Sequence, residues 1–339
     1  MRRALAALAA LTAFATLAPG SASAAGSVWA RALRPDVERR REMAAEAQGH
    51  EIKAQHLQRS PSELDQTDLI VHLTRAALLL EAAGAATSSD LFLRYRLAIV
   101  YSSQDQTAKA AALLESIARA DPPPALRANV FADLALAYAR LGRVEDEIAA
   151  YGEALRVQPV AFERARLLAN RAEAHMLLGN IIAAVDGYRA ALGLLSADHM
   201  MFGTGPTTLW GLAVALDRSG DLDSGLDAIR VARSYDPQDK LINSRSWFYM
   251  PDYDRHWYEA LGHWQVARKV EVVTSVRIDA YARAAASWEE FLGRAARDDR
   301  WLPLARVRAR QCEKERVAFL RRPRAPEPPP PRPPAVKTH

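Results

Sequence analysis

The stretch LALAYARLGRVEDEIAAYGEALRVQP, residues Leu134–Pro159, decides the fold. It holds two short segments in which apolar residues recur at helical spacing, with Gly142 between them and Pro159 at the end. Such spacing gives each helix one buried face. Glycine permits the backbone angles of a tight turn, and proline ends the second helix. The stretch therefore predicts a helix–turn–helix hairpin.

The same pattern recurs along the chain. Its turn residues lie 37, 37 and 41 residues apart, at Asp105, Gly142, Gly179 and Gly220. Four residues before each turn stands a large side chain, namely Tyr101, Tyr138, His175 and Leu216. One hairpin cannot bury its apolar face alone, so consecutive copies must stack on one another. The repeat predicts an array of at least four stacked hairpins.

At these positions the sequence resembles the tetratricopeptide repeat (TPR) family. The copy over residues 128–159 fits best, at Phe131, Leu134, Ala135, Tyr138, Gly142, Ile148, Tyr151, Ala154, Leu155 and Pro159. Glu147 departs from the family pattern because a small residue is usual there, Arg171 replaces a core apolar residue, and Asp105 replaces the turn glycine. The resemblance implies an all-α fold, a right-handed α-solenoid of TPR-like hairpins. Its copies cover about 91–122, 128–159, 165–196 and 206–237.

The N-terminus has the three parts of a secretory signal peptide over residues 1–24. Two arginines follow Met1, an apolar run covers 4–18, and Ala22-Ser23-Ala24 is a small-residue cleavage site. The apolar run is shorter than the ~20 residues that span a bilayer. We therefore expect export to the periplasm or full secretion, with no integral membrane segment after cleavage.

Four further segments follow from composition. Residues 25–61 form a charged lead-in, either a solvated helix or a flexible segment. Residues 62–237 form the array, opened by a helix that caps the first repeat. Residues 238–320 form an aromatic-rich helical cap with one divergent helix pair. Residues 321–339 are Pro-rich and are predicted to be extended or disordered, as a spacer or as a ligand for an aromatic-lined domain.

Composition excludes several function classes. The formal charge of +5 becomes +3 without Arg2 and Arg3, which gives no support to nucleic-acid binding. Cys312 is the single cysteine; it cannot form an intramolecular disulfide, and we expect a small buried or half-buried residue. Neither a Gly-rich phosphate loop, a zinc-type cysteine pair, HExxH nor Gly-x-Ser-x-Gly is present. We therefore expect no cofactor and no enzyme activity.

The TPR resemblance implies a groove lined by the first helix of each hairpin. The groove-facing candidates are Arg96, Asn129, Arg140, Arg166, Asn170, Glu173, Trp210, Asp217 and Arg218. Arginines in a groove can hold a carboxylate or phosphate, but charged residues also cover most solvated helix faces. The carboxylate clamp of the family is not reproduced, because Ala132 and Leu136 stand where the preceding copy needs polar partners.

Two clusters after the array carry open alternatives. Trp247, Tyr249, Tyr253 and Trp257 form either core or an aromatic recognition pocket. His256, Glu259 and His263 share one helical face. They have the residue types of a divalent-metal site. The pattern is also typical of the polar side of a helix whose neighbouring face is apolar.

These observations favour an exported protein- or peptide-binding scaffold or adaptor of the cell envelope. The partner's identity stays open. One alternative is a self-associating structural envelope protein, a homo-oligomer; another is a metal-dependent enzyme that uses His256, Glu259 and His263.

Overall fold

The computed structural model describes residues 35–58, 63–201, 203–244, 249 and 251–321. Within these ranges the regular secondary structure is helical. The predicted signal peptide and the Pro-rich tail beyond Arg321 lie outside the described residues. The chain divides into two compact units, Met1–Tyr258 and Glu259–His339.

The first unit is a series of helix hairpins. The helices that form them are α1 (Pro35–Leu57), α2 (Glu63–Ala82), α3 (Leu91–Ser103), α4 (Thr107–Arg119), α5 (Pro124–Arg140), α6 (Val144–Val157), α7 (Ala161–Leu177), α8 (Ile181–Gly193), α10 (Thr204–Arg218) and α11 (Leu222–Tyr235). A four-residue helix, α9 (Ala197–Met200), precedes α10. The predicted copies therefore correspond to the hairpins α3–α4, α5–α6, α7–α8 and α10–α11.

The turns have the backbone conformation that the sequence predicts. Gly142, Gly179 and Gly220 have φ angles of 71°, 79° and 100°, in the left-handed region that glycine reaches without steric penalty. Asp105 reaches the same region with φ of 62°, which acidic and amide side chains tolerate better than most others. Asp105 therefore substitutes for the turn glycine in the α3–α4 hairpin.

The hairpins stack in chain order. Within each hairpin the two helices pack together, and α2 packs on α3, α4 on α5, α6 on α7 and α8 on α10. Small residues of the first helices are buried where the paired helices meet, at Ala98, Ala135, Ala172 and Ala213. Small side chains let the helix axes approach closely and bury the apolar face that a single hairpin leaves exposed. The first unit is thus an all-α solenoid.

The charged lead-in forms an additional hairpin. Its helix α1 packs along α2, with Ala47 and Ala54 fully buried and Glu51 nearly so. Glu51 pairs with Arg96 of α3, with 2.8 Å between Oε1 and Nη2. Residues 35–57 thus form a helix, one of the two alternatives predicted for the lead-in, and a narrow face of small residues and this ion pair hold α1 in place.

The first unit extends past the predicted end of the array. A short 3₁₀ helix, Asp252–Asp254, leads into α12 (Arg255–Arg268), and the division between the units falls within α12, at Tyr258. Residues up to Tyr258 belong with the array because Asp254 and Trp257 bind side chains of α10. The predicted cap from residue 238 therefore contributes its first part to the solenoid unit.

The second unit contains the rest of α12 together with α13 (Thr274–Arg294) and α14 (Leu302–Leu320). Helix α13 packs along α14. Glu315 of α14 accepts hydrogen bonds from Trp264 Nε1 at 2.8 Å and from Arg268 Nε at 2.9 Å. Cys312 is fully buried, as its sequence context predicts, and burial raises the pKa of its thiol to about 12.

No helix within the described ranges is both long enough and apolar enough to cross a bilayer.

Candidate functional site

Helix α7, the first helix of the hairpin α7–α8, carries the candidate site. Arg166, Asn170 and Glu173 follow one another at spacings of four and three residues, which places them on one helix face. They line a pocket of about 320 Å³ together with Ala169, Tyr188, Gly203, Thr204, Thr207, Thr208, Leu241 and Ser244. We call this cavity the α7 pocket. Three of the groove candidates therefore meet in one place.

At one end of the α7 pocket, Arg166 is already paired. Its Nη2 lies 2.9 Å from Glu163 Oε2, one helical turn earlier on α7. The buried Asp133 of α5 also acts on it electrostatically. Both acids offset the arginine's charge, so the pocket is not a strongly positive one.

Asn170 holds the wall of the pocket in position. Its Nδ2 donates a hydrogen bond to Tyr151 Oη at 3.3 Å. Tyr151 belongs to α6 and is almost fully buried. This bond uses one of the two N–H donors of the amide, and the side-chain carbonyl oxygen of Asn170 is an acceptor.

Glu173 and Glu147 form the unusual part of the site. Burial and the nearby Asp254 raise the pKa of Glu173 to about 7. Burial and the charge of Glu173 raise the pKa of Glu147 to about 8. Among the described residues neither carboxyl makes a hydrogen bond or an ion pair. A buried carboxylate without a partner is unfavourable, so both groups favour their protonated forms near neutral pH.

Further along the stack, Asp133 and Arg140 of α5 form a second polar region. Tyr95 of α3 donates a hydrogen bond to Asp133, and burial raises the pKa of Asp133 to about 6 against the opposing influence of Arg166 and Arg140. Arg140 Nη1 donates to the Ser102 carbonyl at 3.4 Å. Asn129, another groove candidate, is half-buried on the same helix.

Arg96 is tied to α1. Its guanidinium makes a two-point contact with Glu51, at 2.8 Å from Nη2 and 3.1 Å from Nε, and Nη2 also donates to the Ala44 carbonyl at 2.8 Å. All of these acceptors lie on α1. Arg96 also lines a cavity of about 630 Å³ beside α1, and its role in binding a ligand stays a prediction.

Three candidates on α10 are also buried by the chain itself. Asp217 Oδ2 accepts from Trp257 Nε1 at 2.9 Å. Arg218 Nη2 lies 2.6 Å from Asp254 Oδ1, and its guanidinium carbon lies 4.6 Å from the centre of the Trp257 ring. Trp210 is 1% exposed. Residues 252–258 therefore occupy this part of α10. The prediction that Asp217, Arg218 and Trp210 face an open groove is wrong, because the chain itself buries them.

Within the aromatic cluster, Trp257 belongs to the core. Trp257 is fully buried. Tyr249 donates to the Ile242 carbonyl at 3.2 Å and meets Tyr258 edge-on, with 5.1 Å between ring centres. Tyr253 is half-buried, and Trp247 lies outside the described residues. Trp257 cannot line a pocket open to solvent, so the aromatic-pocket alternative is not supported at this residue.

The metal candidate fails on geometry. Among the described residues, no group of three or more His, Cys, Asp or Glu side chains is arranged to hold a metal ion. His256, Glu259 and His263 are among those described, and they are half-buried on α12. Their shared helix face is thus not a ligand set.

Sequence reasoning did not include Glu147 among the site residues, although a signal was present. The equivalent positions in the other copies are Ala110, Ala184 and Gly225. A Cβ atom on Gly225 would lie 2.8 Å from the Ala213 carbonyl oxygen, which shows how tightly helices pack there. A carboxyl group at a position reserved for small residues breaks the local packing rule, and such violations often mark function.

The stacked hairpins, their left-handed turns and the buried small residues give the α-solenoid architecture that the TPR resemblance implies. No protein-family model matches the chain, and no curated protein matches it significantly. Among solved structures, the chain is similar to MamA MSR-1 C2, with 18% identity over 61% of this chain and 99% of that chain and a TM-score of 0.44.

A second similar structure is a tetratricopeptide repeat protein from Parabacteroides merdae ATCC 43184. It has 15% identity over 81% of this chain and 99% of its own, with a TM-score of 0.46.

Proposed function

We propose that the protein is a non-catalytic scaffold that binds a protein or peptide segment at the first helices of its TPR-type array, and that it acts in the periplasm or outside the cell. The observation that carries the proposal is the α7 pocket, in which Arg166, Asn170 and Glu173 project from one helix into a single cavity. Stacked repeats present such side chains side by side over several hairpins.

Two features restrict the proposed binding surface. Residues 252–258 cover Asp217 and Arg218 on α10, and α1 binds Arg96 on α3. The partner is therefore expected between these two points, on α5 and α7. The export part of the proposal is supported by the three-part pattern over residues 1–24.

Capture from a cell-envelope extract tests the proposal. The double variant Arg166→Ala/Asn170→Ala alters the pocket, whereas Arg156→Ala removes an arginine that is exposed on α6 and paired with Glu153. We expect the double variant to lose captured partners that the wild type and Arg156→Ala both retain. Equal recovery of the same partners by all three baits would contradict the proposed surface.

The compartment has its own test. Expression of the full chain and fractionation of the cells should give a mature protein that begins near residue 25 in the periplasm or medium. An uncleaved chain retained in the cytoplasm would contradict the export part alone.

A further inference from the structure

Apart from Arg166, every polar side chain that lines the α7 pocket carries an oxygen atom that can accept a hydrogen bond. Glu173 contributes a carboxyl, Asn170 a carbonyl oxygen, and Tyr188 and Thr207 contribute hydroxyl oxygens. The Thr207 hydroxyl donates to the Gly203 carbonyl at 2.8 Å, which leaves its lone pairs for a donor from the ligand. A ligand group that donates several hydrogen bonds fits this lining.

The charges of the site select among such donors. Arg166 is paired with Glu163, whereas Glu173 has no hydrogen bond or ion pair among the described residues, and Glu147 behind it has none either. Glu147 is 6% exposed. Arg218 also acts on Glu173 electrostatically, but its guanidinium is paired with Asp254. Among the described residues, neither Glu147 nor Glu173 therefore has a cation bound directly to it.

We propose that the α7 pocket receives a primary ammonium group of the partner, with Glu173 as its direct counter-ion and Glu147 as the supporting negative charge. An ammonium group has three N–H donors and no acceptor, which matches a carboxylate, an amide oxygen and a hydroxyl. A lysine side chain and a free peptide N-terminus both supply this group. The inference rests on the proposed function, because it names the chemistry of the partner at that surface.

The raised pKa values add a pH dependence to the proposal. Near pH 6 the Glu147–Glu173 pair is largely protonated, and near pH 8 it carries negative charge. Lysine keeps its charge throughout this range. Binding of an ammonium group should therefore strengthen as the pH rises from 6 to 8, with release of protons from the pair. The other charged or titratable groups around the pair are Asp254, Arg218, Arg166, Tyr151, Tyr188 and Tyr258.

The direct test is an NMR titration of the full-length protein with blocked tripeptides. One peptide carries a central lysine, the second carries norleucine, which has the same carbon chain without the charge, and the third has norleucine and a free N-terminus. The amide signals of Gly203 and Thr207 report on the pocket. We expect an ammonium-bearing peptide to bind at least about tenfold more tightly than blocked norleucine at pH 8, equivalent to about 1.4 kcal/mol.

The preference between the two ammonium peptides identifies the source, a lysine side chain or an N-terminus. Glu173→Gln preserves the size of the side chain and should remove the preference for ammonium. Glu147→Ala restores the small residue of the other repeats and should weaken the preference for ammonium. The control Glu145→Ala removes an exposed carboxyl of α6 and should leave the preference unchanged.

The inference is wrong if lysine and norleucine peptides bind alike, if Glu173→Gln keeps the preference, or if affinity does not rise between pH 6 and 8. These outcomes differ from failure of the proposed function. Partner capture that depends on Arg166 and Asn170, without any ammonium preference, overturns only the inference. Ammonium binding with capture unaffected by the double variant overturns only the proposed surface.

Discussion

Charged side chains are buried at two places in the array, and their surroundings differ. On α10, Arg218 is paired with Asp254, and Asp217 accepts a hydrogen bond from Trp257. Between α6 and α7, Glu147 and Glu173 lie close together, and neither has a hydrogen bond or ion pair within the described residues. Burial without a partner is unfavourable, whereas burial with a partner fixes geometry. The first place is therefore structural, and the second is the candidate for function.

The largest effect is expected at the structural place. Arg218→Ala leaves Asp254 buried without its cation, and we expect it to lower the free energy of unfolding by about 3–5 kcal/mol. The control Arg230→Ala breaks an exposed pair with Asp227 and should change the free energy of unfolding by less than about 1 kcal/mol. Urea unfolding monitored by circular dichroism measures both. A loss for Arg218→Ala no greater than that of the control would remove the distinction between the two places.

The opposite sign is expected at the functional place. Glu147→Ala removes an unpartnered buried carboxyl, and we expect it to raise the free energy of unfolding by about 1–3 kcal/mol at pH 8. The folded pKa of Glu147, about 8, lies above its ordinary value of 4.5. The folded state therefore binds this proton more tightly than the unfolded state does, so stability falls as the pH rises from about 4.5 to 8.

The increase in the free energy of unfolding caused by Glu147→Ala should accordingly be much smaller at pH 5 than at pH 8. Unfolding curves at the two pH values measure the difference, with Glu145→Ala as the exposed control. A stability loss for Glu147→Ala at pH 8 would mean that the carboxyl supports the fold.

The smallest effect separates one hydrogen bond from the packing around it. Trp257 and Trp210 are both buried, and an arginine lies over each ring. The guanidinium carbon of Arg218 is 4.6 Å from the centre of the Trp257 ring, and that of Arg233 is 5.4 Å from the centre of the Trp210 ring. Only the Trp257 indole donates a hydrogen bond to a described residue, since Trp210 Nε1 has no acceptor. Trp257→Phe should therefore cost about 1 kcal/mol more than Trp210→Phe, the value of one buried hydrogen bond. Equal losses in urea unfolding would show that the Asp217 contact adds nothing.

The sequence predicted the array because the repeat is local. The residues that end α5, form its turn and begin α6 all lie between Tyr138 and Val144, and the spacing of the turns set the hairpins in order. The same reasoning placed Arg166, Asn170 and Glu173 on one helix face. Each of these inferences depends only on periodicity along the chain.

The contacts that engage Asp217 and Arg96 cannot be inferred from periodicity along the chain. Asp217 meets Trp257 across 40 residues of sequence, and Arg96 meets Glu51 across 45. A polar residue at a groove position looks the same in the sequence whether solvent or a distant segment covers it. Glu147 was visible as a break in the repeat pattern, but its unpartnered burial next to Glu173 required coordinates.

The decisive experiment is the titration of the glutamate carboxyl carbons by carbon-13 NMR. Spectra of the labelled wild type, Glu147→Gln and Glu173→Gln assign the two signals. We expect both carboxyls to titrate well above the ordinary glutamate range, near pH 8 for Glu147 and near pH 7 for Glu173 in the wild type. Two carboxyls that titrate below pH 5 would show that each already has a partner, and would contradict the assignment of the α7 pocket as a site awaiting a cation.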